Sequence, residues 1–451
     1  MPKPLPRPVL LLFLGLVLAL SPAMPLSYSA EAAPGWPQFR GPTGDGIVGD
    51  QGSVGELPVR WSEDENVRWK TAIHDTGWST PVALEGKVWL TTATRDGHTF
   101  FALAIDAETG NIVFDQPLFE CETPEPLGNN VNGYASSSPT IEPGRVYIHF
   151  GSYGTACLDT ETYEVLWRRT DLECRHYRGP GSSAILFEQL LILTFDGVDQ
   201  QYVVALDKTT GKTVWKTPRT TDFNDLDKDG KPFSEGDLRK GFTTPIVIDW
   251  QGAKQLINPG SRTMYAYDPY TGKELWKVRH HGHSTSASTV FAGGLAMITT
   301  GYEDSQLWAV RVDGRGDVTD SHVAWKVGPK DVPQTPSPIT LNNLVFMVSN
   351  TGALTCMAAE TGEVMWRERI SGGYIASPIA ADGRIYFFNQ NGKTTIIEAD
   401  DDYREIAVNE IDEGLMSSPA VYGDSLILRT KTDLYRIQNS AAAQGMRDSN
   451  R

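Results

Sequence analysis

The chain has 451 residues, of which 40% are hydrophobic and 21% charged, and a net charge of −16. The acids are dispersed and no basic stripe exists, which excludes nucleic acid and anionic lipid surfaces as main partners.

Residues 1–32 read as a targeting signal. Lys3 and Arg7 precede an apolar run from Val9 to Leu20, and Ala30-Glu31-Ala32 offers a small-x-small cleavage site. The run is too short to span a bilayer, and no cysteine follows it to carry a lipid. The expectation is an exported protein, periplasmic or in the cell envelope, soluble and monomeric after cleavage, with no transmembrane segment. Residues 33–65 read as an N-terminal extension.

From residue 66 to 438 one phrase recurs: apolar-x-apolar-Asp, a Thr-Gly turn, then Trp. ALDKTTGKTVW (205–215), AYDPYTGKELW (266–276) and AAETGEVMW (358–366) are close copies; AIDAETGNIVF (104–114) and LDTETYEVLW (158–167) are looser. From Asp159, Asp207 and Asp268 the tryptophan lies eight residues on, at Trp167, Trp215 and Trp276. Such self-similarity means one small unit copied many times. Each copy also has a half that opens on Ser/Thr-Pro: STPVALEGKVWLTT (79–92), SSPTIEPGRVYIHF (137–150), ASPIAADGRIYFF (376–388) and SSPAVYGDSLILRT (417–430) align without gaps. Short β-branched and aromatic runs separated by Glu-Gly, Pro-Gly or Asp-Gly are hairpin grammar. The unit is therefore four antiparallel strands.

The proline position falls at Pro81, Pro139, Ala184, Pro245, Ser288, Pro338, Pro378 and Pro419, which makes eight units. The last ends near Ile437 without a Trp strand, and NVRWK (66–70) supplies a spare one. The expected fold is all-β: an eight-bladed β-propeller of four-stranded blades, closed by residues 66–70 completing the last blade. Two tandem sandwiches would leave the Trp69 strand unused. Trp69, Trp167, Trp215, Trp276, Trp325 and Trp366 read as residues that dock one blade on the next, not as chemistry. Residues 439–451 read as a disordered tail.

Cys157 and Cys356 occupy equivalent third-strand positions on opposite sides of the ring, so they should be buried and unpaired. Cys121 and Cys174 fall in loops that leave the same face of adjacent blades, and a Cys121–Cys174 disulfide is expected there. In DFNDLDKDGKPFSEGD (222–237), Asp225, Asp227 and Asp229 followed by Gly230 match the first half of a calcium loop. The twelfth position is Gly236 rather than an acid, so calcium and a solvated acidic loop both remain open. His280, His281 and His283 could ligate zinc or copper, but neighbours in extended chain point apart.

The loops joining successive units crowd one mouth of the central channel. They bring Trp78, Tyr134, Tyr177, Arg178, Phe242, His283 and Tyr374 to that mouth, with Gln334 and Met416. Arg262, Arg95, Glu303 and Lys431 should reach the same face from other turns. An aromatic rim with scattered charge is a docking surface for a peptide, glycan or protein loop, or a seal on the channel.

The repeat resembles the PQQ-like (quinoprotein-type) propeller family, with its Ala-x-Asp-x-x-Thr-Gly-x-x-x-Trp pattern, over about residues 66–437. WPQFRGPTGDG (36–46) is similar to the start of exported bacterial members, BamB-like propellers among them. The resemblance implies fold, not activity, because the family holds both dehydrogenases and non-enzymatic scaffolds. The dehydrogenase branch implies an adjacent Cys-Cys pair, absent here, and a calcium-holding acid set that no residues here match. The expected function is a non-catalytic scaffold that binds envelope proteins or peptides, without a committed cofactor. The alternatives are a PQQ-dependent alcohol or sugar dehydrogenase, for which arginines could meet the quinone's carboxylates, and a carbohydrate-binding module.

Overall fold

The computed structural model describes residues 1–2, 35–49, 55–128 and 131–440. The expected targeting segment and most of the expected C-terminal tail lie outside them. Eight antiparallel sheets of consecutive strands follow one another along the chain, seven four-stranded and one five-stranded. In blade 1, Val82–Leu84, Lys87–Ala93, Thr99–Asp106 and Ile112–Glu120 pair in sequence order from the channel outward. The fifth strand, Gly316–Asp317, adds parallel to the outer strand Glu274–Arg279 of blade 4.

Blade 8 is the exception in chain order. Its three strands end with Asp433–Ile437, and Val67–Ala72 pairs antiparallel with that strand, Thr71 opposite Leu434. The N-terminal strand thus closes the ring and leaves no blade short of an outer strand.

The repeated residues fasten blade to blade. The indole N–H of Trp167 in blade 2 donates to the Lys208 carbonyl of blade 3 at 3.0 Å. Trp69, Trp215 and Trp325 do the same to Ala107, Pro269 and Ala359, and Trp366 to Asp400. Each of the first four also lies flat on the glycine of the next blade's Thr-Gly turn. A Cβ added at Gly211 would sit 2.7 Å from the Trp167 ring, and one at Gly272 would sit 2.4 Å from Trp215. Both glycines have φ of +70°, so turn geometry and ring contact each demand the same residue. Trp276 departs from the pattern and donates to Gln255 Oε1 within its own blade, 2.8 Å.

A second belt runs closer to the axis. The backbone N–H of Thr80 donates to Ser138 Oγ, Ser138 N–H to Ser183 Oγ, and Ser183 N–H to Thr244 Oγ1, each at 2.9 Å. Ser288, Ser337 and Ser377 continue it to Ser337, Ser377 and Ser418. The belt corrects one unit of the sequence alignment. Val290 pairs with Met297 as Ile339 pairs with Phe346, so Thr289, not Ser288, holds blade 5's proline position. With that shift a hydroxyl precedes the proline position in all eight blades. Where blade 8 meets blade 1, buried Arg429 serves instead. It donates to Ser79 Oγ (2.6 Å), Ser79 O (3.1 Å) and Thr91 O (2.9 Å).

The extension is not a loose leader. Trp36 and Ala83 exchange backbone hydrogen bonds of 2.8 and 2.9 Å in blade 1, and Pro37 O accepts from Ile141 N–H of blade 2. Arg40, 2% exposed, donates to Pro338 O of blade 6 at 2.7 Å. Gly46 and Val48 bond Ala380 of blade 7. Residues 36–48 therefore cross the inner strands as a strap. Leu57 and Trp61 then bury themselves in the cluster formed with blades 7 and 8. Gln438, Asn439 and Ser440 bond back to Glu56 and Asn66. The first residues of the expected tail, 439 and 440, are thus held.

Candidate functional site

The loops that join blades surround a funnel of about 570 Å³ at the start of the innermost strands. Its wall carries Trp78, Arg178, Phe242, His283 and Tyr302, and Phe39 of the strap lies in its lining. Thr80, Ser138, Ser183, Thr244, Ser377 and Ser418 of the hydroxyl belt line it as well.

Of the residues expected at this mouth, Trp78, Arg178, Phe242, His283, Gln334 and Met416 line the funnel. Tyr134 and Tyr374 do not; both are buried behind it, their hydroxyls donating to Glu125 O and Ser371 O. Tyr177 stays outside the lining as a support under the Arg178 guanidinium, 5.3 Å from its ring centroid. Arg262 turns away and donates to Phe223 O. Arg95 and Lys431 are exposed and are not part of the lining either. Phe39, Tyr302 and Asn350 belong to the lining but were not singled out from sequence. Tyr302 sits beside Glu303 in the turn already chosen for this face. Nothing in the extension's sequence marked Phe39.

The funnel is close to neutral. Its two charged side chains among the described residues, Arg178 and Asp237, form a bidentate pair with bonds of 2.7 and 2.6 Å. Asp237 raises the pKa of Arg178 above its ordinary value, through the hydrogen bond foremost. His283 Nδ1 contacts Ser284 Oγ at 3.0 Å, while Nε2 is buried without a hydrogen-bond partner. Burial lowers the His283 pKa, so the ring is neutral at pH 7.

The loops are braced to one another. The Glu125 carboxylate, between blades 1 and 2, accepts from Arg175 Nε at 2.9 Å and from the backbone N–H groups of His176 and Tyr177 between blades 2 and 3. This clamp joins the two loops expected to share a disulfide. Cys121 and Cys174 are free thiols instead. Cys174 packs inward, its Sγ 3.7 Å from His176 Nε2 in the cluster between blades 2 and 3. Cys121 packs on the separate cluster between blades 1 and 2. Core packing points the two sulfurs into different compartments.

The acidic loop does not converge as a calcium loop. Asp225, 5% exposed at its side chain, is held by Arg239 in bonds of 2.9 and 2.7 Å. Asp227 Oδ1 caps its own turn by accepting from Asp229 and Lys231 N–H. Among the described residues no group of three His, Cys, Asp or Glu side chains is placed to hold a metal ion. That includes the histidines. His280 is buried, and His281 contacts Asp304 O at 3.2 Å on the surface. A quinone cofactor with its carboxylates does not fit the funnel either. The guanidinium in the lining is already committed to Asp237, and no second cation stands there among the described residues.

Eight blades, seven of four strands and one with a fifth added, around a loop-walled funnel define a propeller of the quinoprotein-type class. The chain belongs to the PQQ_2 family, described as outer membrane protein assembly factor BamB, which it matches over residues 59–224 and 199–440. It is 18% identical over 272 residues to outer membrane protein assembly factor BamB of Yersinia pestis, an alignment covering 50% of this chain and 66% of that protein. To BamB of Salmonella typhimurium it is 21% identical over 141 residues, 30% of this chain and 35% of that one. These alignments span less than two thirds of each relative. BamB from Moraxella catarrhalis superposes with a TM-score of 0.56 at 14% identity, covering 82% of this chain and 99% of that one. A europium-containing methanol dehydrogenase gives 0.62 at 11% identity, covering 92% of each chain. At such identities the structures share the fold alone. Among the described residues no helix is long and apolar enough to cross a membrane.

Proposed function

We propose that this protein is an exported, non-catalytic scaffold that docks envelope proteins or peptides through its loop-rich face, in outer-membrane protein assembly. The family description and the names of its relatives support the setting. One observation carries the choice of face. Apart from Met1, the four most exposed large apolar side chains among the described residues are Phe233 (66%), Leu226 (62%), Val131 (55%) and Tyr302 (54%). Val131 and Tyr302 line the funnel, and Leu226 and Phe233 sit on the segment between blades 3 and 4 that supplies Asp237 and Phe242 to its wall. Val214, at 53%, and most of the other exposed apolar residues lie on outer strands; these four instead belong to the loops around the funnel, where apolar groups with polar neighbours mark an interaction site. The bonds that brace the loops hold this rim in shape before any partner arrives, which lowers the ordering cost of binding.

The test is affinity capture from envelope extract with the wild-type protein and a Leu226→Asp, Phe233→Asp variant. The expected result is a specific envelope protein retained by the first and depleted about tenfold or more with the second, a loss of about 1.4 kcal/mol or more. Equal recovery by both, or no specific partner for the wild type, contradicts the proposal.

A further inference from the structure

The interior of the funnel calls for a different ligand from its rim. Four belt hydroxyls, Ser138, Ser183, Thr244 and Ser418, each accept a backbone N–H from the preceding blade. A hydroxyl has one proton to donate and two lone pairs. Each of these oxygens is therefore fixed in place with its proton uncommitted, and all four line the funnel. His283 is 6% exposed, and its Nε2 is buried without a hydrogen-bond partner in the same lining. Above them stand the partly exposed rings of Trp78, Phe242 and Phe39.

This combination selects by elimination. An anion would need an unpaired cation in the lining; there the Arg178 guanidinium is saturated by Asp237, and Lys240 is buried behind the Phe242 ring, outside the lining. A cation would need an unpaired carboxylate in the lining; Asp237 is saturated in return, and Glu303, 3.9 Å from His283 Nε2, is solvent-exposed and outside the lining. A purely apolar ligand would strand the hydroxyl protons and the imidazole nitrogen away from water, at a cost for each. What remains is a neutral molecule with an apolar face for the rings and many hydroxyls for the belt. We infer that the funnel binds a neutral saccharide, free or as the end of a larger glycan. The volume of about 570 Å³ lies within the usual range for small-ligand pockets. This inference is independent of the docking proposal, which concerns the rim.

The experiment is calorimetric titration and saturation-transfer NMR of the full chain with neutral disaccharides, an anionic saccharide and an uncharged peptide. The same neutral sugars displayed on immobilised polymer form a second arm. Neutral saccharides should bind at millimolar affinity or better and the other two classes should not. Binding in the polymer arm alone assigns a glycan end; binding of soluble disaccharide assigns a free sugar as sufficient. Trp78→Ala should weaken binding about tenfold with an unchanged unfolding midpoint. Phe39→Ala, altered on the strap rather than on a blade, should weaken it too and guards against a folding artefact in the first variant. No binding of any neutral saccharide in either arm overturns the inference. So does stronger binding of the anionic saccharide or the peptide, or undiminished binding by both variants. Capture of the envelope partner by the rim would be untouched by any of these results.

Discussion

At the residue scale the repeat explains itself once the ring is closed. The tryptophan and the glycine of the Thr-Gly turn are only four residues apart in sequence, as Gly211 and Trp215 are, yet they serve different contacts. Trp69, Trp167, Trp215 and Trp325 each lie on the glycine of the next blade, not of their own. The repeat was legible from sequence; the pairing between neighbours was not, because it exists only after the blades are set side by side. Trp167→Ala should cost about 3–5 kcal/mol in denaturant unfolding, from lost burial and a stranded Lys208 carbonyl. Gly211→Ala should destabilise as well, since its Cβ would strike the same ring. The aspartate of the repeat has its own task. Asp207 Oδ1 accepts from the Thr210 hydroxyl and from the N–H groups of Thr210 and Thr209. Asp106 does the same with Thr109 and Glu108, and Asp159 with Thr162 and Glu161 N–H. These bonds lower all three carboxyl pKa values, the Thr hydroxyl leading at Asp106 and Asp207 and the Thr162 N–H at Asp159. A lowered native pKa means the unfolded chain binds protons more tightly. The stabilisation is complete above the ordinary carboxylate value of about 4 and is lost as pH falls through the native values. The unfolding midpoint should drop across that acid window, and Asp207→Asn should flatten its share of the slope. A midpoint independent of pH there would contradict this. Cysteine chemistry follows packing. Burial pushes Cys157, Cys174 and Cys356 up to about 12, so only the partly exposed Cys121 should react with a thiol reagent in native protein. Reduction should leave stability unchanged. A protected Cys121, or a midpoint that falls on reduction, would restore the disulfide.

At the element scale the fold was largely readable and the strap was not. Alternating runs, Gly turns and the spare Trp69 strand specify eight blades and their closure, because each is a local pattern with a fixed period. In every blade the outer pairing carries a β-bulge beside the tryptophan position, as between Cys157 and Leu158 or Ala205 and Leu206. A bulge bends and twists the outer strand, and no residue type announces it. The strap has no period at all. Trp36 and Arg40 sit among Pro and Gly, and their partners Ala83 and Pro338 are remote in sequence. Burial lowers the Arg40 pKa to about 10, so the group is still charged at pH 7 and depends on its carbonyl acceptors. Arg40→Ala should destabilise the protein by about 2–4 kcal/mol and loosen residues 36–48. Hydrogen exchange at Val48 and Ala380, which bond across the strap, would report it. Unchanged protection in the variant would show that the strap does not rest on this residue.

At the scale of the whole molecule, two belts and one strap produce a closed wheel with one braced, loop-walled mouth. Half of that mouth was visible in advance, since Trp78, Arg178, Phe242 and His283 precede the strand starts in sequence. Tyr134, Tyr374 and Arg262 share that placement or face, but their side chains rotate into the body of the protein. The hydroxyl belt was also within reach: a Ser or Thr precedes the proline position in every blade, once blade 5 is aligned on Thr289. What sequence alone could not supply was its direction, from one blade's N–H to the next blade's oxygen. The account's central claim is that this mouth is where the protein meets other molecules. Photo-crosslinking in envelope extract tests it most directly, with the probe placed singly at Phe233, at Tyr302 and at Val214, an equally exposed residue on an outer strand. The account requires one discrete adduct from Phe233 and Tyr302 and none from Val214. Adducts from Val214 alone, or the same adduct from all three positions, would contradict it.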